Sequence, residues 1–327
     1  MTHTIGTPLF WAGFLAVVLF LLSLDLGVFH RKAHAVTFRE AFCWSTVWIV
    51  LSLSFGAWIY RTYGKQCGLE FFAGYLIEYS LSIDNVFVFI LIFSYFKVPH
   101  RLHHRVLFWG ILGALIMRAT FILAGAALIS AFHWIIYLFG AFLVYTGLKI
   151  LRQGETDVEP GHNPAVRMFQ RIVPMTSDYA SGRFFLRQNG KMVATPLALV
   201  VFTVEVTDLI FATDSIPAIF GVTRDPFIVY TSNVCAILGL RSLYFLLASV
   251  VSRFAYLGTG LGIVLMFIGV KMLISGYYEI PIAVSLGIVA AILAASMVLS
   301  LVFPPKPPQK AKEHKSEHEL HGTPKNS

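Results

Sequence analysis

Acidic and amide side chains interrupt an apolar stretch of this 327-residue sequence, GYLIEYSLSIDNVFVFILIF at residues 74–93. The polar members are Glu78, Asp84 and Asn85. A carboxylate at the centre of a bilayer costs about 2.5–3.5 kcal/mol on insertion scales. These side chains must therefore face one another, a cation or water rather than lipid.

A second apolar stretch, FTVEVTDLIFATDSIPAIF at residues 202–220, contains three more acids and a serine. Carboxylate, amide and hydroxyl oxygens suit hard divalent cations such as Mg²⁺, Ca²⁺ or Mn²⁺. No cysteine or histidine lies beside these acids, which disfavours zinc and copper. The two stretches together predict a metal site formed by Glu78, Asp84, Asn85, Glu205, Asp208, Asp214 and Ser215.

Intramembrane basic residues offer an alternative role for the same acids. The sequence places Arg118, Lys149, Arg241 and Lys271 within or at the ends of apolar stretches. Ion pairs with these residues would hold helices together without any cation. Ion pairing would leave the amide next to Asp84 and the hydroxyl next to Asp214 unexplained, so both interpretations stay open.

Helix geometry sorts the candidates by face. At 100° per residue, Glu78, Ser82 and Asn85 share one face, and Asp208 shares a face with Ser215. The remaining two aspartates, Asp84 and Asp214, lie about 100° away from those faces. They would reach the same site only where the helix unwinds, and a proline three residues after Asp214, Pro217, leaves the carbonyl of Thr213 without a helical donor.

An internal repeat relates the two acidic stretches. Aligning Asp84-Asn85 with Asp214-Ser215 also aligns Glu78 with Asp208. Downstream, GILGALIMRATFILAG (110–125) matches AILGLRSLYFLLAS (236–249), and FLVYTGLKIL (142–151) matches VLMFIGVKML (264–273). Each unit, at about 70–151 and 196–275, contains three spans, and an odd number requires the second copy to be inverted. Inverted repeats are typical of transporters with a substrate site at the repeat interface.

The elements that carry these residues are predicted to be membrane helices. The sequence is 57% hydrophobic and 13% charged, against about 25% charged in soluble domains. Continuous apolar runs predict an all-α polytopic membrane protein with about nine transmembrane helices rather than a β-barrel. The predicted spans are 8–28, 41–60, 70–95, 106–130, 134–151, 196–221, 227–250, 258–275 and 281–303.

The net charge of +8 follows the membrane topology rather than a nucleic-acid surface. Most of the 25 Lys and Arg residues lie after odd-numbered spans or in the C-terminal tail. The positive-inside rule then places the N-terminus outside and the C-terminus in the cytoplasm. We expect a multi-pass protein of the bacterial inner membrane, with the lipid bilayer but no nucleic acid as a partner, and no cleaved signal peptide.

Two segments are predicted to lie outside the membrane, one within the transmembrane domain of residues 1–303 and one after it. Residues 152–195 form a cytoplasmic loop, flexible at first and then folded as a hairpin around Asn189-Gly190. Residues 304–327 are rich in proline and charge and are expected to be disordered. The sequence leaves the oligomeric state open.

The quoted stretches around the acids, together with AILGLRSLYFLL and FIGVKMLI, resemble the TerC family of integral membrane proteins. The likeness is greatest to its Alx branch, within the LysE-like transporter superfamily, and covers roughly residues 10–303. The resemblance implies the same seven acidic-motif residues, and manganese export or metal homeostasis as the function. The Alx pattern often has lysine after Glu78, where this chain has Tyr79, so that partner for the acid is missing.

Together these observations predict secondary-active export of a divalent cation, with Mn²⁺ as the transported ion and protons as the coupling ion. No Walker motif appears, and we expect neither an enzyme nor a prosthetic group. The alternatives are a membrane-bound redox modulator and a scaffold for metal or tellurite stress. A thiol-based redox role would have to use Cys43, Cys67 or Cys235, which show no CxxC spacing.

Overall fold

In the computed structural model, the described residues form helices and one β-hairpin, joined by turns and loops. The structure describes residues 4–27, 37–132, 134–153, 164–176, 179, 182–188, 191–248, 256–278 and 280–302. The helices and strands are α1 (Pro8–Gly27), α2 (Phe38–Tyr63), α3 (Lys65–Tyr95), α4 (His100–Ala131), α5 (Ile135–Gln153), α6 (Pro164–Ile172), β1 (Phe185–Gln188), β2 (Lys191–Ala194), α7 (Pro196–Phe220), α8 (Pro226–Leu238), α9 (Leu240–Leu247), α10 (Leu257–Ile274) and α11 (Ile282–Val302).

The described residues contain seven helices that are long and apolar enough to cross a membrane, or eight when α8 and α9 are counted as one bent span. The predicted all-α polytopic fold is therefore confirmed. The expected first span corresponds to α1, whose apolar part, Pro8–Ser23, is shorter than the other spans. The expected seventh span is broken into α8 and α9 by a bend of 40° at Gly239, a residue with low helix propensity.

Two pairs of glycines bring α5 and α10 into backbone contact. An added Cβ on Gly269 would lie 2.6 Å from the carbonyl oxygen of Gly140, and one on Gly147 would lie 2.5 Å from that of Gly262. The helices are antiparallel, since the earlier residue of α5 contacts the later residue of α10. The sequence alignment equates Gly140 with Gly262 and Gly147 with Gly269. Exchanging each glycine for its counterpart therefore turns the contact of Gly140 with Gly269 into the contact of Gly262 with Gly147. Two copies related by a two-fold axis would give this pattern, and the inverted repeat stays a prediction.

The loop between α5 and α7 is more structured than the sequence suggests. The hairpin is confirmed, because β1 and β2 pair antiparallel from Phe185 opposite Ala194 to Gln188 opposite Lys191. The short helix α6 was not predicted. Its Val166 is fully buried, and Phe169 stacks on Phe202 of α7 with ring centroids 4.6 Å apart. The turn at 189–190, the segment 154–163 and the tail 303–327 lie outside the described residues.

Candidate functional site

One arginine joins the two acidic helices in the interior. Arg118 of α4 is completely buried, with 0% of its surface exposed. Its Nη1 donates to Glu78 Oε1 of α3, while Nη2 and Nε donate to Asp208 Oδ1 and Oδ2 of α7 at 3.0 and 3.3 Å. Glu78 and Asp208 are the acids that the repeat alignment equates. We call this arrangement of Arg118, Glu78 and Asp208 the arginine bridge.

Local sequence explains why Arg118 points inward. Ile111, Leu115 and Ile122 lie within about a turn or two of it on the same side of α4, and all three are buried. The apolar face of α4 therefore packs against its neighbours and carries the guanidinium with it. The planar fork of arginine fits a carboxylate through two parallel hydrogen bonds, which Asp208 receives.

The acids of this region outnumber the arginine. The arginine bridge contains two carboxylates and one guanidinium, all buried. Glu205, one turn before Asp208 on α7, is half-buried, and its carboxylate lies directly against Gly113 of α4. No described residue donates a hydrogen bond to Glu205. Glu205 interacts electrostatically with Asp208, whereas the described acids that act on the guanidinium are Glu78 and Asp208. Three carboxylates thus lie near one another, and the guanidinium pairs with two of them.

Several buried oxygens near the arginine bridge have no hydrogen-bond partner among the described residues. Within the described part of the chain, Glu78 Oε2, Ser82 Oγ and Ser215 Oγ are buried without a hydrogen-bond partner. Ser215 is close enough to Glu78 to interact with its carboxyl group. Glu78, Ser82 and Asn85 are all buried on one face of α3, as their spacing predicts. Buried oxygens without donors are rare in proteins and are usually satisfied by water or an ion.

Asp214 lies away from this cluster. Its Oδ1 accepts a hydrogen bond of 3.2 Å from Thr146 of α5, and Lys149, one turn further along α5, is the cation that interacts with it. The expected unwinding beside it is absent, because α7 continues through Pro217 to Phe220. The proline lies in the last turn, where Gly221 N still donates to the carbonyl of Pro217 at 3.0 Å. A regular helix keeps Asp214 on its own face.

The candidates are therefore brought together only in part. Glu78, Asp208 and Ser215 lie together, Asn85 shares the face of Glu78, and Glu205 adjoins them. The side chain of Asp84 lies outside the described residues, although its backbone is helical. Among the residues that the structure describes, no group of three or more His, Cys, Asp or Glu side chains is arranged to hold a metal ion. The seven-residue metal site stays a prediction.

The ion pairs that the sequence offers as an alternative are confirmed for Arg118, which binds Glu78 and Asp208. The basic partner of Glu78, missing next to it at Tyr79, is thus supplied from another helix. One further polar residue of the region was missed. Asn233 of α8 is absent from the predicted site, yet it is fully buried and both of its amide atoms lack a partner among the described residues. It lies one turn before Ile237, which lines a small cavity together with Asp208. The sequence signal that could have identified Asn233 is an amide side chain inside an otherwise apolar helix.

A separate cavity of about 500 Å³ lies where α7 ends, lined by Glu70, Asp225 and Lys271 among others. Its acids are already bonded. Glu70 accepts hydrogen bonds from Gln66 at 2.8 Å and Thr223 at 2.6 Å. Asp225 caps α8 by accepting from Phe227 N at 2.8 Å. No residue of the arginine bridge lines this cavity.

Helical spans joined by a buried ionic cluster define an integral membrane protein, and the comparison with known families is specific. The model of the integral membrane protein TerC family matches residues 63–307, and the chain belongs to that family. This confirms the resemblance read from the acidic motifs.

Curated relatives cover nearly the whole chain. A protein of Escherichia coli K12 named "Putative membrane-bound redox modulator Alx" is 52% identical over 89% of this chain and 93% of its own length. An uncharacterized membrane protein of Myxococcus xanthus is 51% identical over 88% of this chain and 91% of its own. One of Rickettsia bellii is 38% identical over 86% and 93%. No solved structure matches.

Proposed function

We propose that this TerC-family protein is a secondary-active exporter of a divalent metal cation, with manganese as the cation. The observation that carries the proposal is the excess of buried acid around Arg118. Glu78, Asp208 and Glu205 bring three negative charges to the meeting point of α3, α4 and α7, and the guanidinium supplies one positive charge. A divalent cation provides the two charges that remain.

The donor chemistry supports a hard cation. Glu78 Oε2, Ser82 Oγ and Ser215 Oγ are oxygens without a hydrogen-bond donor among the described residues, and Asn85 contributes an amide on the same face. Oxygen ligands of this kind suit Mn²⁺, Mg²⁺ or Ca²⁺. Manganese rests on the resemblance to the family.

The position of the cluster supports alternating access. Glu78 and Asp208 lie on the first helices of the two proposed repeats, and the reciprocal glycine contacts of α5 and α10 fit an inverted pair. Sites at the interface of inverted repeats are exposed to one side and then the other as the repeats rock. Protons are the proposed coupling ion, because two protons neutralise the same acids that one divalent cation neutralises.

The name of the Alx relatives suggests a redox function as the alternative for this chain. The three thiols, Cys43, Cys67 and Cys235, are free. Cys235 is buried in α8, whereas Cys43 is exposed on α2. No specific thiol chemistry emerges from these positions, and the buried acids favour cation transport.

Reconstitution of the full chain in proteoliposomes tests the proposal. Radiolabelled Mn²⁺ should accumulate when a pH gradient is imposed, and unlabelled Mn²⁺ should compete more strongly than Ca²⁺ or Mg²⁺. Glu78→Gln should abolish this flux. Equal accumulation in protein-free vesicles, or full flux through Glu78→Gln, would refute the function.

A further inference from the structure

Arg118 occupies the atoms that a transported cation would need. Its three nitrogens take up both oxygens of Asp208 and one oxygen of Glu78. Of the four carboxylate oxygens in the arginine bridge, only Glu78 Oε2 has no partner among the described residues. A hard divalent cation takes about six oxygen ligands, so a single oxygen does not form its site.

We propose that Arg118 is a tethered cation that replaces the transported cation on Glu78 and Asp208 whenever the carrier is empty. This inference rests on the proposed function and adds a mechanism to it. The cation enters by displacing the guanidinium, and the guanidinium returns when the cation leaves.

The empty carrier needs such a substitute. Without Arg118, Glu78 and Asp208 would be two uncompensated carboxylates at 0% and 3% exposure. Burying unpaired charge inside a membrane protein is strongly unfavourable. The return step of a transport cycle would then be slow, because both acids would have to be protonated before the empty site could cross the occluded position. With Arg118 in place, the two acids keep a net charge of −1, which one of the coupling protons neutralises.

The displaced guanidinium has a neighbouring acceptor. Glu205 lies one turn before Asp208 on the same side of α7, and its carboxylate interacts electrostatically with that of Asp208. A guanidinium released from Asp208 therefore stays against α7 when it pairs with Glu205. Glycine at 113 leaves the space open, since a Cβ there would collide with the Glu205 carboxylate. No described residue donates a hydrogen bond to that carboxylate.

Two transport assays separate the loaded and empty steps. Net flux of radiolabelled Mn²⁺ into Mn²⁺-free proteoliposomes requires the empty carrier to return, whereas exchange into vesicles loaded with unlabelled Mn²⁺ does not. Arg118→Gln, purified with Mn²⁺ present, should lose about tenfold more of its net flux than of its exchange, each measured relative to wild type. Net flux at the wild-type level, or equal loss of both assays, would overturn the inference.

A second variant covers the case in which Arg118→Gln does not fold. Arg118→Lys keeps the charge, but one ammonium cannot donate to three oxygens in the geometry of a guanidinium. Lysine should therefore compete less strongly than arginine with Mn²⁺ for Glu78 and Asp208. The KM for Mn²⁺ in net flux should fall by about threefold or more. A purely structural arginine predicts an unchanged or higher KM.

The failure of the proposed function and the failure of this mechanism give different results. Wild-type protein that shows neither exchange nor net flux would refute the proposed function itself. Wild-type protein that transports Mn²⁺, together with an unchanged KM in Arg118→Lys, would refute this mechanism alone.

Discussion

Gly269 of α10 packs against the backbone of Gly140 of α5, so closely that a Cβ on Gly269 would lie 2.6 Å from the carbonyl oxygen of Gly140. The reverse contact, from a Cβ on Gly140 to the carbonyl oxygen of Gly269, would be 2.9 Å. Small residues of this kind allow membrane helices to approach through their backbones. The third helices of the two proposed repeats are joined here.

Substitution of Gly269 tests that contact. Gly269→Ala should destabilise the protein by about 1–3 kcal/mol, because backbone atoms cannot move aside as a flexible side chain would. Gly287→Ala on α11 is the matched control, since no described atom lies within 4 Å of an added Cβ there. Thermal unfolding in detergent, monitored by size-exclusion chromatography, measures the stability of both variants. Equal melting temperatures for the two variants would show that the contact is looser than described.

The charge balance of the arginine bridge predicts that substitutions of its three residues have non-additive effects on stability. Arg118→Met alone leaves Glu78 and Asp208 buried without a counter-charge and should cost about 3–5 kcal/mol. Adding Glu78→Gln and Asp208→Asn removes those charges and should restore most of the melting temperature, while Mn²⁺ flux stays absent. A triple variant as unstable as the single one would mean that the arginine acts through packing rather than charge.

Replacing the three cysteines separates the transport and redox functions. A variant with Cys43→Ser, Cys67→Ala and Cys235→Ala should transport Mn²⁺ at a rate within about twofold of wild type. Cys235 is buried, so a loss of stability of about 1 kcal/mol is expected from the smaller side chain. If transport disappears although the variant is folded and inserted, thiol chemistry would be part of the function.

The loop between α5 and α7 should stay attached to the membrane domain over the physiological pH range. The hydroxyl of Tyr179 donates to the carbonyl of Phe96 at 2.5 Å, and burial raises the pKa of Tyr179. A raised pKa means that this contribution to stability is complete below the unfolded pKa of about 10 and is lost only at higher pH. Proteolysis of the loop should therefore be constant from about pH 6 to 9 and faster in Tyr179→Phe. Cleavage that rises within that range in wild type would contradict the assignment.

The sequence predicts more about the elements than about the contacts between them. Hydrophobic runs and Asn189-Gly190 are local signals, and the spans and the hairpin that they predict are present. The shared face of Glu78 and Asn85 follows from helix geometry in the same way. Short α6 lacks a long enough pattern, although Val166 and Phe169 are three residues apart on one face.

The partners of the charged residues depend on tertiary packing. Arg118 was recognised as an intramembrane cation, but no local signal indicates that it reaches α3 and α7 at once. Pro217 suggested a break that would turn Asp214 inward. The packed helix absorbs that proline in its last turn, and Asp214 faces Thr146 instead. Both outcomes depend on which helices are neighbours, and no single stretch of sequence contains that information.

Cellular manganese measures the central claim most directly. In a manganese-sensitive bacterial strain, expression of the wild-type chain should lower total cell manganese as determined by mass spectrometry. Glu78→Gln, Asp208→Asn and Asp84→Asn should not lower it. Glu70→Gln is the control on the same helix, because its carboxylate is bonded to Gln66 and Thr223 outside the arginine bridge, and it should behave as wild type. Equal manganese in cells expressing wild type and Glu78→Gln, at matched protein levels, would contradict the account.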